Sequence, residues 1–127
     1  MHIPCQSHII IMCACITCTL KVHVIEARDL NPQDSSGTSD PFVVVKSSLG
    51  GTQKTVTQKA NNSPLFDERL VFNYKDLSPQ QIHEASLTIA IYDEDWFGLS
   101  RQMIGSCSFD LLGIYAKNET HEMYRTW

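Results

Sequence analysis

The chain has 127 residues, of which 43% are hydrophobic and 19% charged, and it carries a formal net charge of −4 at pH 7. This length suits one domain with a full hydrophobic core. The acidic balance and the dispersed lysines argue against a nucleic-acid-binding protein, because such proteins display basic runs or patches.

The first segment, residues 1–19, holds four of the five cysteines, which are Cys5, Cys13, Cys15 and Cys18. Their close spacing and the odd total do not suit a disulfide framework, so we expect reduced thiols. A zinc site is disfavoured because no second cysteine pair follows.

Residues 1–8 show no hydrophobic periodicity and predict a poorly ordered end, whereas residues 9–17 can form a strand. The apolar run in this region is too short to span a membrane and lacks the flanks of a secretion signal. We therefore expect segment 1–19 to be partly disordered or to add an edge strand, and the protein to be cytosolic.

The remainder, residues 20–127, is predicted to form the folded domain, in which the last strand could be truncated. A helix is predicted from Pro79 to near Ala85, because Ser78 suits the N-cap and Gln81 completes a capping box. Runs of alternating or β-branched residues predict strands at 20–27, 42–47, 52–58, 66–74, 86–92, 103–109 and 121–127. The pattern indicates an all-β fold, an eight-stranded antiparallel β-sandwich with one or two short helices in its loops.

Two acidic loops follow predicted strands. Asp34 and Asp40 lie in a Ser/Gly/Thr loop after strand 20–27, and Asp93 and Asp95 follow strand 86–92. If the loops meet, four carboxylates share one pocket, where their mutual repulsion is relieved by a hard divalent cation. Calcium is the natural candidate, because it takes oxygen ligands in tolerant geometry.

Three ordered motifs resemble those of C2 domains over roughly residues 20–127. The run from Leu30 to Val45 resembles the first calcium loop of that family, in its Asp-to-Asp spacing and its Ser-Asp-Pro-aromatic ending. Asp93-x-Asp95 resembles the third loop, and Ser63-Pro64-Leu65-Phe66-Asp67-Glu68 is similar to the family's Asn-Pro-x-Trp-Asn-Glu turn. Residues 66–73 and 77–79 are similar to those of ferlins.

The resemblance implies a Greek-key sandwich that binds calcium and anionic phospholipid. It further implies a monomeric module that targets a larger trafficking or signalling protein to anionic membranes and that can also have protein partners. Its expected location is cytoplasmic and peripheral to the membrane, or the cytosolic face of a membrane-anchored parent protein. The implied metal ligands are Asp34, Asp40, Asp93, Asp95 and the backbone carbonyl of Glu94. It also implies a small helical turn at 110–115.

Two further groups of residues are candidates for membrane contact. Trp96, Phe97 and Leu99 lie at the tip of the third loop and would enter the bilayer, although Phe97 suits the core as well. Lys46, Lys54 and Lys59 would contact phosphoinositide headgroups by resemblance, whereas exposed lysines also serve simply to keep a sheet edge soluble.

Two other classes of function are a calcium-independent interaction module and an enzyme. The aspartates could serve only to cap turns, in which case the domain is a calcium-independent protein or lipid interaction module. An enzyme is not expected, because no nucleophile, base or phosphate loop accompanies the acidic residues.

One departure from the C2 pattern concerns the late third loop. The family usually carries a fifth aspartate there, where this chain has Ser100-Arg101-Gln102. We therefore predict one bound calcium rather than two or three. If Arg101 points inward, its charge weakens calcium binding further.

Overall fold

The computed structural model describes residues 5–14, 17–30, 38–95, 98, 100–113 and 122–126. These residues form eight strands in two four-stranded sheets, ordered β5-β2-β1-β8 and β4-β3-β6-β7, and every strand pairing is antiparallel. The predicted eight-stranded antiparallel sandwich is confirmed.

The first sheet is built from the two ends of the chain and its middle. Its strands are β1 Cys5–Ala14, β2 Thr17–Ala27, β5 Leu65–Lys75 and β8 Glu122–Thr126. β1 begins earlier than expected, and it is an interior strand, because β2 and β8 pair with its two sides. The edge position considered for this strand from sequence is therefore not the one observed. Of the end predicted to be poorly ordered, residues 5–8 belong to β1, and residues 1–4 lie outside the described residues.

The second sheet contains β3 Pro41–Ser47, β4 Thr52–Lys54, β6 Ser86–Glu94 and β7 Arg101–Asp110. β4 is shorter than the predicted strand at 52–58. After it, Thr55 still exchanges bonds with Val43, since its N–H donates to the Val43 carbonyl and its Oγ1 accepts from the Val43 N–H, both at 2.9 Å. The chain therefore continues beside β3 through irregular contacts.

The core lies between the sheets and takes alternate residues from each strand. The predicted inward residues Val22 and Val24 of β2 are fully buried, as are Ile89 and Ile91 of β6. Their neighbours in the core include Leu20, Val43, Val45, Phe66, Leu70, Phe72 and Leu87. This alternation leaves Lys21 and His23 of β2 on the outer face of the first sheet.

The predicted helix is confirmed as α1, Pro79–Glu84. The Ser78 Oγ accepts from the Gln81 N–H at 3.1 Å, and the Gln81 Oε1 accepts from the Ser78 N–H at 2.8 Å, which completes the capping box. A helical turn also begins at residues 111–113, and the rest of the turn expected at 110–115 lies outside the described residues. No helix in the described ranges is long and apolar enough to cross a membrane.

The cysteines differ from expectation in one respect. Cys18 is disulfide-bonded, whereas the sequence predicts reduced thiols. The β1–β2 hairpin places Cys13 directly opposite Cys18, a proximity that the linear spacing does not reveal. Cys5 and Cys107 are free thiols.

Candidate metal and membrane site

Described acidic residues from both loops lie where β3 begins and β6 ends. Antiparallel pairing sets Pro41 opposite Asp93, so Asp40 lies beside the end of β6 and Asp95 follows directly. The structure therefore brings Asp40, Asp93 and Asp95 to one end of the sandwich. We call this end the acidic end.

Backbone hydrogen bonds hold the acidic end together. The Asp93 Oδ1 accepts from the Asp40 N–H at 2.9 Å, and the Glu94 N–H donates to the Asp40 carbonyl at 2.9 Å. Asp93 is only 7% exposed. On the other side, the Asp40 Oδ1 accepts from the Ala60 N–H at 2.6 Å, which ties in the loop before β5. The carboxylates of Asp40 and Asp93 therefore already have a structural role.

Ser100 closes the third loop onto Asp95. Its Oγ donates to the Asp95 Oδ2 at 2.8 Å, and its carbonyl accepts from the Asp95 N–H at 2.9 Å. Gly98 adopts a φ of 67°, a left-handed conformation that favours glycine, and donates to the Asp95 carbonyl at 3.0 Å. Of the three residues in place of the fifth aspartate, Ser100 thus hydrogen-bonds the Asp95 side chain, and Gln102 lies opposite Asp93 in the pairing of β6 with β7.

Arg101 instead lies on the outer face of the second sheet. Its guanidinium carbon is 4.1 Å from the centre of the Tyr92 ring, a cation–π contact. The side chain therefore stacks on the sheet, and the inward orientation considered from sequence is not adopted.

Lys59 supplies a positive charge at the acidic end. Its Nζ donates to the Glu94 Oε2 at 2.9 Å. This hydrogen bond, together with the charges of Glu94, Asp40 and Asp95, raises the pKa of Lys59, and the same bond lowers the pKa of Glu94. The chain's own ammonium group therefore neutralises part of the acidic end.

The donor chemistry suits a hard cation, because the candidate side-chain ligands Asp40, Asp93 and Asp95 are all carboxylates. Within the described ranges, however, no three His, Cys, Asp or Glu side chains stand close enough together to hold a metal ion. Asp34 lies outside the described residues, as do the expected membrane-tip residues Trp96, Phe97 and Leu99.

A cavity of about 240 Å³ adjoins the acidic end on the outer face of the second sheet. The rings of Phe42 and Tyr92 are stacked with their centres 5.6 Å apart, and the Lys54 Nζ lies 5.8 Å from the centre of the Phe42 ring. Among the described residues the cavity is lined by Phe42, Lys54, Glu94, Gly98, Ser100 and Arg101. Its polar lining thus combines Lys54 and Arg101 with one carboxylate.

The expected lysine set is only partly gathered at this cavity. Lys54 lines it, and Lys54 and Lys59 both act on the pKa of Glu94, while Lys46 is exposed further along β3. Sequence reasoning missed Arg101 and the Phe42–Tyr92 pair as parts of a cation-bearing surface. The alternation of β3 and β6 could have placed both rings on the outer face.

Comparison with known proteins identifies the family of this chain. The family model described as C2 domain matches residues 18–126. Human synaptotagmin-10 is 35% identical over 88 residues, covering 66% of this chain and 16% of that protein. Mouse synaptotagmin-7 is 37% identical over 78 residues, covering 58% and 19%. The chain therefore spans less than a fifth of the length of these relatives.

Among solved structures, a C2 domain of RIM from Drosophila superimposes with a TM-score of 0.68 at 18% identity, covering 97% of both chains. At this identity the superposition shows a shared fold. Because the family match extends over most of the chain, the protein belongs to the C2 domain family.

Proposed function

We propose that this C2 domain binds anionic phospholipid membranes in a calcium-dependent manner. The observation that carries the proposal is the meeting of Asp40, Asp93 and Asp95 at one end of the sandwich. No three carboxylates of the described residues are close enough to hold an ion by themselves, so in this proposal a divalent cation draws these aspartates together with Asp34 and offsets their repulsion.

The ligands we propose are those expected from sequence, namely Asp34, Asp40, Asp93, Asp95 and the carbonyl of Glu94. Bound calcium would offer open coordination positions to lipid phosphates. The chain's own part is to hold the carboxylates together, through the hydrogen bonds from the Asp40 N–H to Asp93 and from Ser100 to Asp95.

Contacts with the bilayer are proposed at two places. Trp96, Phe97 and Leu99 would enter the interface from the third loop. Lys54 and Arg101 would receive an anionic headgroup at the cavity beside the acidic end, with Lys46 and Lys59 adding positive charge nearby. In this proposal the domain is a binding module rather than an enzyme, and it directs a larger protein to the cytoplasmic face of a membrane.

Co-sedimentation with liposomes containing phosphatidylserine, in calcium or in chelator, tests the proposal. Asp93→Asn should abolish calcium-dependent sedimentation. Asp110→Asn is the matched control, because Asp110 lies at the far end of the same strand pair, opposite Ser86. Equal sedimentation of the parent protein in calcium and in chelator would overturn calcium dependence.

A second candidate function is calcium-independent interaction with lipids or proteins. The Lys59 ammonium favours it, because this group already lies in the field of Glu94, Asp40 and Asp95. Sedimentation that persists in chelator and is lost in Lys54→Gln would support this second candidate over the first.

A further inference from the structure

A second cavity lies on the outer face of the first sheet, on the opposite side of the sandwich from Lys46 and Lys54. It measures about 580 Å³. Its lining alternates with the buried residues of β1, β2 and β5, and consists of His8, Ile10, Lys21, His23, Arg69 and Val71. Within a chain of net charge −4, this cavity gathers two cationic side chains and two imidazoles.

The strand register arranges these side chains in two rows. His8, His23 and Arg69 are directly opposite one another across β1, β2 and β5. In the next row, two residues along, Ile10 and Val71 flank Lys21. The rows are about 7 Å apart, the distance between alternate residues of an extended chain.

The structure already holds a carboxylate oxygen against the first row. The Asp67 Oδ1 lies 2.6 Å from the His23 Nε2 and 3.8 Å from the Arg69 Nη1. Asp67 reaches this position from a bulge, where its φ is 47° and the register of β5 on β2 shifts. Bulges of this kind redirect a side chain. The contact shows that the row accepts an oxyanion.

Asp67 does not use all the hydrogen-bond donors of the first row. The side chain of Arg69 is 67% exposed and its ion pair with Asp67 is long. A guanidinium in this state can form a paired hydrogen bond with an incoming carboxylate.

We propose that this cavity binds an extended acidic peptide of a partner protein, with acidic side chains at alternate positions. One carboxylate would pair with Arg69 and His23, and the next would pair with Lys21. The methylene groups of these acidic side chains would rest on Ile10 and Val71. The inference goes beyond the membrane function and does not depend on calcium.

A peptide fits better than a membrane for two reasons. The cavity floor is apolar at Ile10 and Val71, which suits side-chain methylenes more than a charged headgroup. A flat bilayer that contacts Lys46 and Lys54 on the second sheet cannot also reach the outer face of the first, because the two sheets stand back to back.

Fluorescence anisotropy with a labelled Gly-Glu-Val-Glu-Val-Glu-Gly peptide, at low salt and in chelator, tests the proposal. Lys21→Gln and Arg69→Gln should each weaken binding about tenfold, because each removes a charged hydrogen-bond partner. Lys46→Gln, which removes the same charge on the other sheet, should change binding less than twofold. The same peptide with Gln in place of Glu should not bind.

Asp67→Asn provides an independent variant with the opposite sign. Asparagine tolerates the left-handed backbone, and loss of the competing carboxylate should tighten binding by roughly threefold. Equal loss of binding in Lys46→Gln and Lys21→Gln, or no binding at about 1 mM peptide, would overturn the proposal. So would a loss of liposome sedimentation in Lys21→Gln that matches the loss in Lys46→Gln. Failure of the calcium-dependent sedimentation alone would leave the peptide result unaffected.

Discussion

At the scale of single residues, Lys59 changes the electrostatics of the acidic end most directly. Its ammonium contacts Glu94 and lies in the field of Asp40 and Asp95. Because it is fixed to the chain, it reduces the repulsion that would otherwise favour an added cation. A tethered positive charge and a calcium ion are therefore expected to compete for this end of the domain.

Lys59→Met should strengthen calcium binding roughly two- to fivefold, the range expected for one exposed charge. Isothermal titration calorimetry measures the effect. Lys46→Met is the matched control, since it removes the same charge from an exposed position further along the sheet. Unchanged calcium affinity in Lys59→Met would show that Lys59 does not act on the metal site.

The Cys5 thiol should resist alkylation in the folded protein. Cys5 is completely buried, and desolvation raises its pKa from 9.0 to about 12. At pH 8 only about one thiol in ten thousand is then ionised, and the thiolate is the reactive form. N-ethylmaleimide followed by peptide mapping should label the half-buried Cys107 first and Cys5 only after unfolding.

Equal labelling rates at Cys5 and Cys107 would contradict this prediction. The same shift has a consequence for stability at high pH. The folded state holds the Cys5 proton more tightly than the unfolded chain, so the stability it contributes is full below about pH 9 and declines as the pH rises toward 12.

At the scale of elements, the hydrogen bonds between Ser100 and Asp95 close the third loop. The Ser100 hydroxyl donates to Asp95, whereas Arg101 stacks on Tyr92. Sequence spacing alone leaves three positions for the family's missing aspartate, and these contacts distinguish Ser100 from Arg101. Positions 100 and 102, beside Asp95 and opposite Asp93, are therefore those where a new carboxylate would join the acidic end.

Ser100→Asp should therefore increase calcium affinity or stoichiometry, because it sets a further carboxylate beside Asp95. Arg101→Asp is the control, since it places the same group over Tyr92. Calorimetric titration distinguishes them. If Arg101→Asp has the larger effect, the loop rearranges when calcium binds, and the contacts of Ser100 do not identify the position.

The elements also show what the sequence can and cannot predict. Alternating patterns located β2, β3 and β6, and the Ser78 capping box located α1, because these signals are local. The interior position of β1 depends on its pairing with β8, more than a hundred residues later in the chain. The end of β4 depends on Thr55, whose hydroxyl oxygen accepts a hydrogen bond from the Val43 N–H. Similarly, the sequence placed acidic residues in two loops but could not reveal that Lys59 reaches them.

At the scale of the whole molecule, calcium binding should raise the free energy of unfolding, because the ion binds the folded state. For a dissociation constant on the order of 10⁻⁴ M, about 10 mM calcium should add about 2.7 kcal/mol, a rise in Tm on the order of 10 °C. Scanning fluorimetry in calcium, magnesium and chelator measures it. Magnesium should stabilise less, because it demands a rigid octahedral site. No shift in calcium, even with phosphatidylserine present, would favour the calcium-independent function.

The pairing of β1 with β8 also determines how the domain responds to force. The first residues of β1 lie opposite the last residues of β8, with Gln6 paired to Thr126. Tension applied through the chain on both sides would therefore load the hydrogen bonds of this pair one after another, as in unzipping, rather than all at once in shear. Sequential loading requires little force, so β8 would peel away first and uncover the edge of β1. A C2 domain built in this way would extend under modest tension, with its acidic end closest to the points of pulling.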